Sequence, residues 1–302
     1  GTLRLQGDEM SHTGSIKNAW LSAENGHISG FGEMKDRPAG KFDKTIDATG
    51  CIIMPSFCDS HSHIVYAGTR EEEFIDKING LSYEEIAARG GGILNSSDLL
   101  HDTSEDDLYE QSLARVKEMI SHGSGAIEIK SGYGLSVEDE LKMLRVIKRI
   151  KETVPAVIRA TFLGAHAVGR AYTGRKDEYV SLIINGMIPQ VAGQGLADFI
   201  DVFCDDGFFS PEDMDRILAE GARFGLRPKV HIDEIAVIWS RQAKRVSKLC
   251  KVQTLCLLCC QAHLSFWDSR TDGHAISYQT VSESHLPAIS TRALPHREIC
   301  AS

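Results

Sequence analysis

Apolar and polar positions follow two rhythms along this chain. Short apolar runs of strand length occur at Gly125 to Lys130, Val157 to Leu163, Asp198 to Cys204 and Arg227 to Ile232. Between them, apolar residues recur at helical spacing: Leu108, Leu113, Val116 and Ile120 within 105–122, then Leu141, Leu144, Ile147 and Ile150. Ser136, with Asp139 three residues on, makes a weak capping box for the second of these helices. Asp177 to Met187 also reads as helix. Ser210-Pro211 opens another that runs to about Phe224, with proline in its first turn. An earlier apolar run, Cys51 to Cys58, predicts a strand near 52–58 that ends in Asp59-Ser60-His61-Ser62-His63. Residues 1–50 differ. Asn25-Gly26-His27-Ile28 and Thr49-Gly50 are turn signals between short extended runs, which predicts a few strands of a small sheet.

Strands alternating with helices build a parallel sheet with right-handed crossovers. A barrel and an open doubly wound sheet both satisfy that pattern. Each predicted strand ends in His, Asp, Glu or a glycine-rich loop, and in a barrel those ends share one mouth, where active sites form. No G-x-G-x-x-G follows the first strand, which disfavours a dinucleotide fold. The expected fold is therefore α/β, built as a TIM-like (β/α)₈ barrel.

Composition narrows the function classes. The chain has 302 residues, of which 42% are hydrophobic and 25% charged, ordinary values for a globular protein. Its net charge of −9 argues against a nucleic-acid partner. No window reaches the roughly 18 unbroken apolar residues of a membrane span, so no membrane partner is expected. The first residues, Gly-Thr-Leu-Arg-Leu-Gln, carry no apolar signal core and no initiator Met, and read as a cut start. Before residue 240 the cysteines are Cys51, Cys58 and Cys204, sparse enough for a reducing, cytoplasmic setting. Cys250, Cys256, Cys259, Cys260 and Cys300 crowd the tail, where Cys256 and Cys259 form a C-x-x-C that would ordinarily raise zinc.

His61-Ser62-His63 is the sharpest chemical signal. Alternate residues of a strand point the same way, so both imidazoles can face one metal. An H-x-H alone is weak and also occurs in packed cores. Here it follows Asp59 at the end of an apolar run, and His231 ends a strand four units later. Together they predict a three-histidine cluster at a barrel mouth. A site of that type keeps a position open for water and needs a group to move its proton. Glu234, three residues after His231, is the candidate; the plainer reading is a solvated carboxylate opening the next helix. Arg70, Tyr133 and His166 fall in loops after the first three strands. Arg70 suits a bidentate pair with a substrate carboxylate. Tyr133 lies between glycines, which let backbone approach a ligand. His166 could donate a hydrogen bond or stabilise developing negative charge. The fourth strand end, Phe203-Cys204-Asp205-Asp206, supplies no lysine to bridge two metals, which favours a single ion.

Residues 51 to about 235 resemble the imidazolonepropionase family of the amidohydrolase superfamily. The matching stretches are Asp59 to His63 with Ala67-Gly68-Thr69-Arg70; Glu128-Ile129-Lys130-Ser131-Gly132-Tyr133-Gly134-Leu135; Thr161 to His166; Ile200 to Cys204; and Val230 to Glu234. The H-x-H is common to the superfamily, whereas the Lys-Ser-Gly-Tyr-Gly and Leu-Gly-Ala-His stretches are far more specific. The resemblance implies hydrolysis of a small molecule, 4-imidazolone-5-propanoate, to N-formimidoyl-L-glutamate in histidine degradation. It implies one zinc or iron ion held by His61, His63 and His231. Arg70, Tyr133, His166 and Glu234 would contact substrate, with Glu234 and His166 as the catalytic pair, in a chain able to form a homodimer. Residues 1–50 resemble the N-terminal part of the family's small β-sandwich, and 51–236 the first part of its barrel, which would leave that barrel incomplete.

After about Ala236 the resemblance stops. The family would continue with three more strands, an Asp metal ligand and an Asn-Pro-Gly-Ser loop, none of which the tail spells. From Trp239 to Ser302 no helical or strand period is sustained. A shifted reading frame accounts for this. Taking the last base of each codon with the first two of the next, Leu286 to Ala301 permits Ala-Ser-Asp-x-Asn-Pro-Gly-Ser, its Asp falling across Ala288 and Ile289. The same offset from Thr254 through Trp267 permits Thr-Met-Pro-Thr-Val-Leu-Pro-Gly-Thr-Pro. Residues 237–302 are therefore expected to be an aberrant, frameshifted tail, irregular and poorly packed, in a chain that is insoluble or inactive as written. The Cys256/Cys259 pair, His263, His274, His285 and His296 then lose their standing as ligands. Two competing readings are another amidohydrolase, such as a nucleobase deaminase, and a truncated product without activity. Tyr133 and Arg70 argue against the deaminase, because they suit a substrate that bears a carboxylate.

Overall fold

The structure, a computed structural model, describes residues 14–69, 71–81, 85 and 92–232. The N-terminal turn signal forms a hairpin: β1 (Ala19–Glu24) pairs antiparallel with β2 (His27–Glu33). Asn25 and Gly26 both have positive φ, 51° and 78°, as the two central residues of a type I′ turn require. Among the described residues this hairpin is all of the small sheet expected in 1–50.

The remaining strands are parallel. β3 (Phe57–Ser62), β4 (Ser124–Lys130), β5 (Val157–Ala165), β6 (Phe199–Cys204) and β7 (Arg227–Pro228) lie side by side in chain order, and β8 (His231–Ile232) continues beside β6. β7 and β8 are one strand in two pieces, bridged by the Lys229 N–H donating to the Ile200 carbonyl at 2.8 Å. Sequential order settles the choice left open above. A doubly wound sheet reverses direction about its first strand, whereas a barrel adds strands in sequence.

One strand is misplaced by the apolar pattern. The predicted 52–58 is observed at 57–62, and Ile52, Ile53 and Met54 are exposed. Pairing with β4 sets the true position, with Asp59 opposite Ile127 and Ser62 opposite Ile129. One face of β3 lines a polar interior, so its strand residues are not the apolar ones.

Helices α1 (Glu71–Ile78), α2 (Ile93–Asp102) and α3 (Glu105–Ser121) lie between β3 and β4. α4 (Val137–Thr153) links β4 to β5, and α7 (Pro211–Arg223) links β6 to β7. The β5–β6 connection is α5 (Lys176–Leu182), a wide helical turn at Ile183–Met187, and α6 (Ile188–Gly193). Ser104, Ser136 and Ser210 each accept the N–H of the residue three places on, which fixes where α3, α4 and α7 begin. None of the helices among the described residues is long and apolar enough to cross a membrane.

Alternation along the strands divides the sheet into two faces. Ile127, Ile129, Ala160, Phe162, Ile200 and Val202 join the buried cluster with Leu141, Leu144 and Ile147 of α4 and Ile217 of α7. Each of the larger of these side chains contributes roughly 1.5–3 kcal/mol when fully buried. The intervening residues, Glu128, Lys130, Thr161, Asp201, Lys229 and His231, turn the other way and meet one another.

Candidate active site

β3 carries His61, and His63 lies one residue past its end. The Asp59 carboxylate accepts the His61 backbone N–H at 3.0 Å and so braces the strand where the first imidazole leaves it. β8 supplies His231, two strands further on than β5 and buried. The three rings converge. His61 Nε2 is 3.2 Å from His63 Nε2 and 3.1 Å from His231 Nε2.

That spacing fits one metal ion. Metal–nitrogen bonds of roughly 2.0–2.1 Å in a tetrahedral shell put neighbouring nitrogens about 3.3 Å apart. The three rings cannot satisfy one another: both contacts fall on His61 Nε2, which in a neutral ring carries either one lone pair or one N–H and so can pair with only one neighbour. Burial and then the neighbouring His231 push the His61 pKa down to about 4. Burial and then His166 hold His63 well below the ordinary value. Neutral imidazole is the form that ligates, and the three residues together can hold one ion.

Beside the cluster stands an aromatic shelf. His166 stacks on His63, with centroids 5.1 Å apart and planes inclined 20°, and Tyr133 lies 5.4 Å from His63 and 5.5 Å from His166. Phe203 closes the far side, 6.0 Å from His166 and 5.9 Å from His231. The loop bearing Tyr133 is held by Glu140, which reaches back from the first turn of α4. Its buried carboxylate accepts N–H groups of Gly132, Gly134 and Leu135 at 3.1, 2.8 and 3.1 Å. The glycines are required sterically. A Cβ on Gly134 would sit 2.3 Å from the Glu140 nitrogen, and one on Gly132, whose φ is +112°, would sit 2.9 Å from His166 Nδ1.

The polarity of His166 differs from the sequence expectation. Its Nδ1 lies 3.0 Å from the Gly132 carbonyl, which can only accept, so the proton sits on Nδ1. Burial, then His231, lower its pKa to about 4, which keeps the ring neutral. Nε2 is then an acceptor, suited to a ligand N–H rather than to developing negative charge.

Sequence reasoning missed the buried charges beneath the cluster. Lys130 donates to Glu128 at 2.6 Å and to Asp201 at 2.8 Å, with all three side chains at most 5% exposed. Thr161 also donates to Glu128, at 2.5 Å, and Lys229 pairs with the same carboxylate. The available signal was charge at alternate positions of strands that are otherwise apolar. Of the other predicted site residues, Arg70 and Glu234 lie outside the described residues. So do Cys256, Cys259, His263, His274, His285, His296 and the whole of 237–302.

Sheet order and the three-histidine cluster give a parallel α/β barrel architecture with a candidate metal site at its strand ends. Solved structures agree on the fold. A 5-methylcytosine deaminase from Klebsiella pneumoniae, liganded with phosphonocytosine, matches with a TM-score of 0.55 and 17% identity over 76% of this chain and 52% of its own. A triazine hydrolase from Arthobacter aurescens matches with a TM-score of 0.52 and 16% identity over 73% and 49%. Sequence relatives are more specific. The imidazolonepropionase of Christiangramia forsetii is 55% identical over 232 residues, 77% of this chain and 56% of the relative. That of Flavobacterium johnsoniae is 51% identical over 240 residues, 80% and 58%. That of Geobacillus kaustophilus is 44% identical over 233 residues, 76% and 55%. Over the matched residues the chain is similar to the imidazolonepropionases, at 44–55% identity in these three. It spans little more than half the length of these curated relatives. No family model matches it.

Proposed function

We propose that this chain carries the metal-binding and substrate-facing half of an enzyme that opens the ring of 4-imidazolone-5-propanoate by hydrolysis. The observation that carries this reading is the convergence of His61, His63 and His231 beside the Tyr133–His166 shelf. Zinc or iron in the cluster would supply Lewis-acid activation of the cyclic amide and of water. His166 Nε2 accepts a ring N–H of the substrate, and its stack on His63 orients the ring over the cluster. Tyr133 forms a wall of that pocket on a loop that cannot shift while Glu140 holds it. Arg70 pairs with the propanoate carboxylate. Glu234 takes the proton of the attacking water and delivers it to the ring nitrogen as the carbon–nitrogen bond breaks. Phe203 narrows the side of the pocket away from Tyr133.

The test uses a chain extended to the full length of its relatives and assayed with 4-imidazolone-5-propanoate. Glu234→Gln should lower turnover by about 10²-fold with metal content unchanged. Near-normal turnover in that variant would remove Glu234 from the mechanism. No turnover in the extended parent, with metal bound, would remove the proposed reaction.

A further inference from the structure

We propose that Asp201 is a positioning residue: it holds His231 with the proton on Nδ1 and the Nε2 lone pair turned toward His61 and His63. The inference rests on the reading of the three histidines as a metal site. It deepens that reading, because it makes the three ligands unequal.

Asp201 Oδ2 lies 2.8 Å from His231 Nδ1, on the side of the ring opposite the Nε2 that faces His61. The contact is close without being aligned as a hydrogen bond. A carboxylate repels a lone pair and attracts an N–H, so the nitrogen beside it favours the proton, and the other nitrogen keeps its lone pair. The Nδ1 atoms of His61 and His63 are likewise buried without an aligned hydrogen bond, but among the described residues only that of His231 has a carboxylate beside it. Asp201 is also fixed from every side. Its Oδ1 accepts the Val202 N–H at 2.8 Å, and its Oδ2 takes Lys130 Nζ at 2.8 Å. Lys130 is in turn held by Glu128, which Thr161 and Lys229 anchor. Buried ion pairs of this kind seldom add net stability over an apolar core. A chain of them that ends on a ligand nitrogen has a better account in aiming that ligand. His231 is thus the pre-set anchor, to which His61 and His63 adjust.

The experiment uses the 302-residue chain, carried on a solubilising fusion partner, with zinc affinity read by chelator competition at pH 7. Far-UV circular dichroism reports folding of each variant. His63→Ala should weaken zinc binding sharply; unchanged affinity would overturn the three-histidine reading, and the Asp201 inference with it. Asp201→Ala should weaken zinc binding about 10–100-fold. Asp201→Asn, which keeps a neutral acceptor, should fall between Asp201→Ala and the parent. If His63→Ala loses zinc while a folded Asp201→Ala keeps it, the inference fails and the cluster stands. If Asp201→Ala does not fold, long-range ¹H–¹⁵N spectra of the unsubstituted chain decide. A proton on His231 Nδ1 is expected, and a proton on Nε2 would overturn the inference.

Discussion

On β4 and β6 the two faces of the parallel sheet are equally buried but chemically opposite. On β4, Ile127 and Ile129 point to the helices while Glu128 and Lys130 point inward, and all four are at most 5% exposed. β6 repeats the pattern, with Ile200 and Val202 outward and Asp201 inward. Burial therefore does not distinguish scaffold from site in this molecule; the chemistry of the partner does. Apolar burial on the outer face holds the fold together. The inner face pays desolvation for its charges and recovers it only while every pair is intact.

Substitutions can break this contrast. The largest effect is expected on the outer face. Phe162→Ala should cost about 3–5 kcal/mol in urea denaturation, while the refolded fraction binds zinc as the parent does. A loss below about 1 kcal/mol would show that the outer face is not the scaffold. Next is Lys130→Ala, which leaves the Asp201 and Glu128 carboxylates without their shared cation; a loss of about 3 kcal/mol is expected. A neutral result would mean that the inner charges are solvated rather than locked.

A pH series sharpens the same contrast. His61 and His166 are lowered to about 4, and His63 lower than its ordinary value as well. Unfolded histidines take up protons near pH 6.5, before the folded ones do, so the metal-free chain is at full strength above that pH. Its stability should fall as pH drops toward 4, by about 1.4 kcal/mol per pH unit for each histidine. Urea midpoints at pH 7.5, 6 and 5 measure this, and a flat profile would contradict neutral, buried imidazoles. The smallest effect belongs to neither face. Ser104→Ala removes the cap of α3 and should cost about 1 kcal/mol, with no change in zinc affinity.

Much of the scaffold was legible because helices and outer strand faces bury apolar residues at regular intervals. The strands at 124–130, 157–165 and 199–204 and the helices at 105–121, 137–153 and 211–223 follow their patterns closely. Strand 57–62 was displaced because four of its six residues, Asp59, Ser60, His61 and Ser62, are polar, which a hydrophobic pattern counts as loop. His61, His63 and His231 could be grouped because parallel strands in sequence must end on one side. Asp201 and Lys130 could not, since a charge inside an apolar strand reads as an interruption until its partner 71 residues away is seen. Nor could the polarity of His166, which depends on one carbonyl, that of Gly132, across the β4–β5 pair.

The Glu140 clamp has an evolutionary consequence. One carboxylate serves both as part of the opening turn of α4 and as the template for the loop that bears Tyr133. An inserted or deleted loop residue would strand a buried acceptor, and any residue but glycine brought to the place of Gly134 would set its Cβ against the backbone of Asp139 and Glu140. Variation at this rim is thereby channelled into exchange of the side chain at position 133, with loop length held constant. A directed-evolution library that randomises Tyr133 should retain folded members, whereas one that varies the length of 131–135 should be almost empty of them.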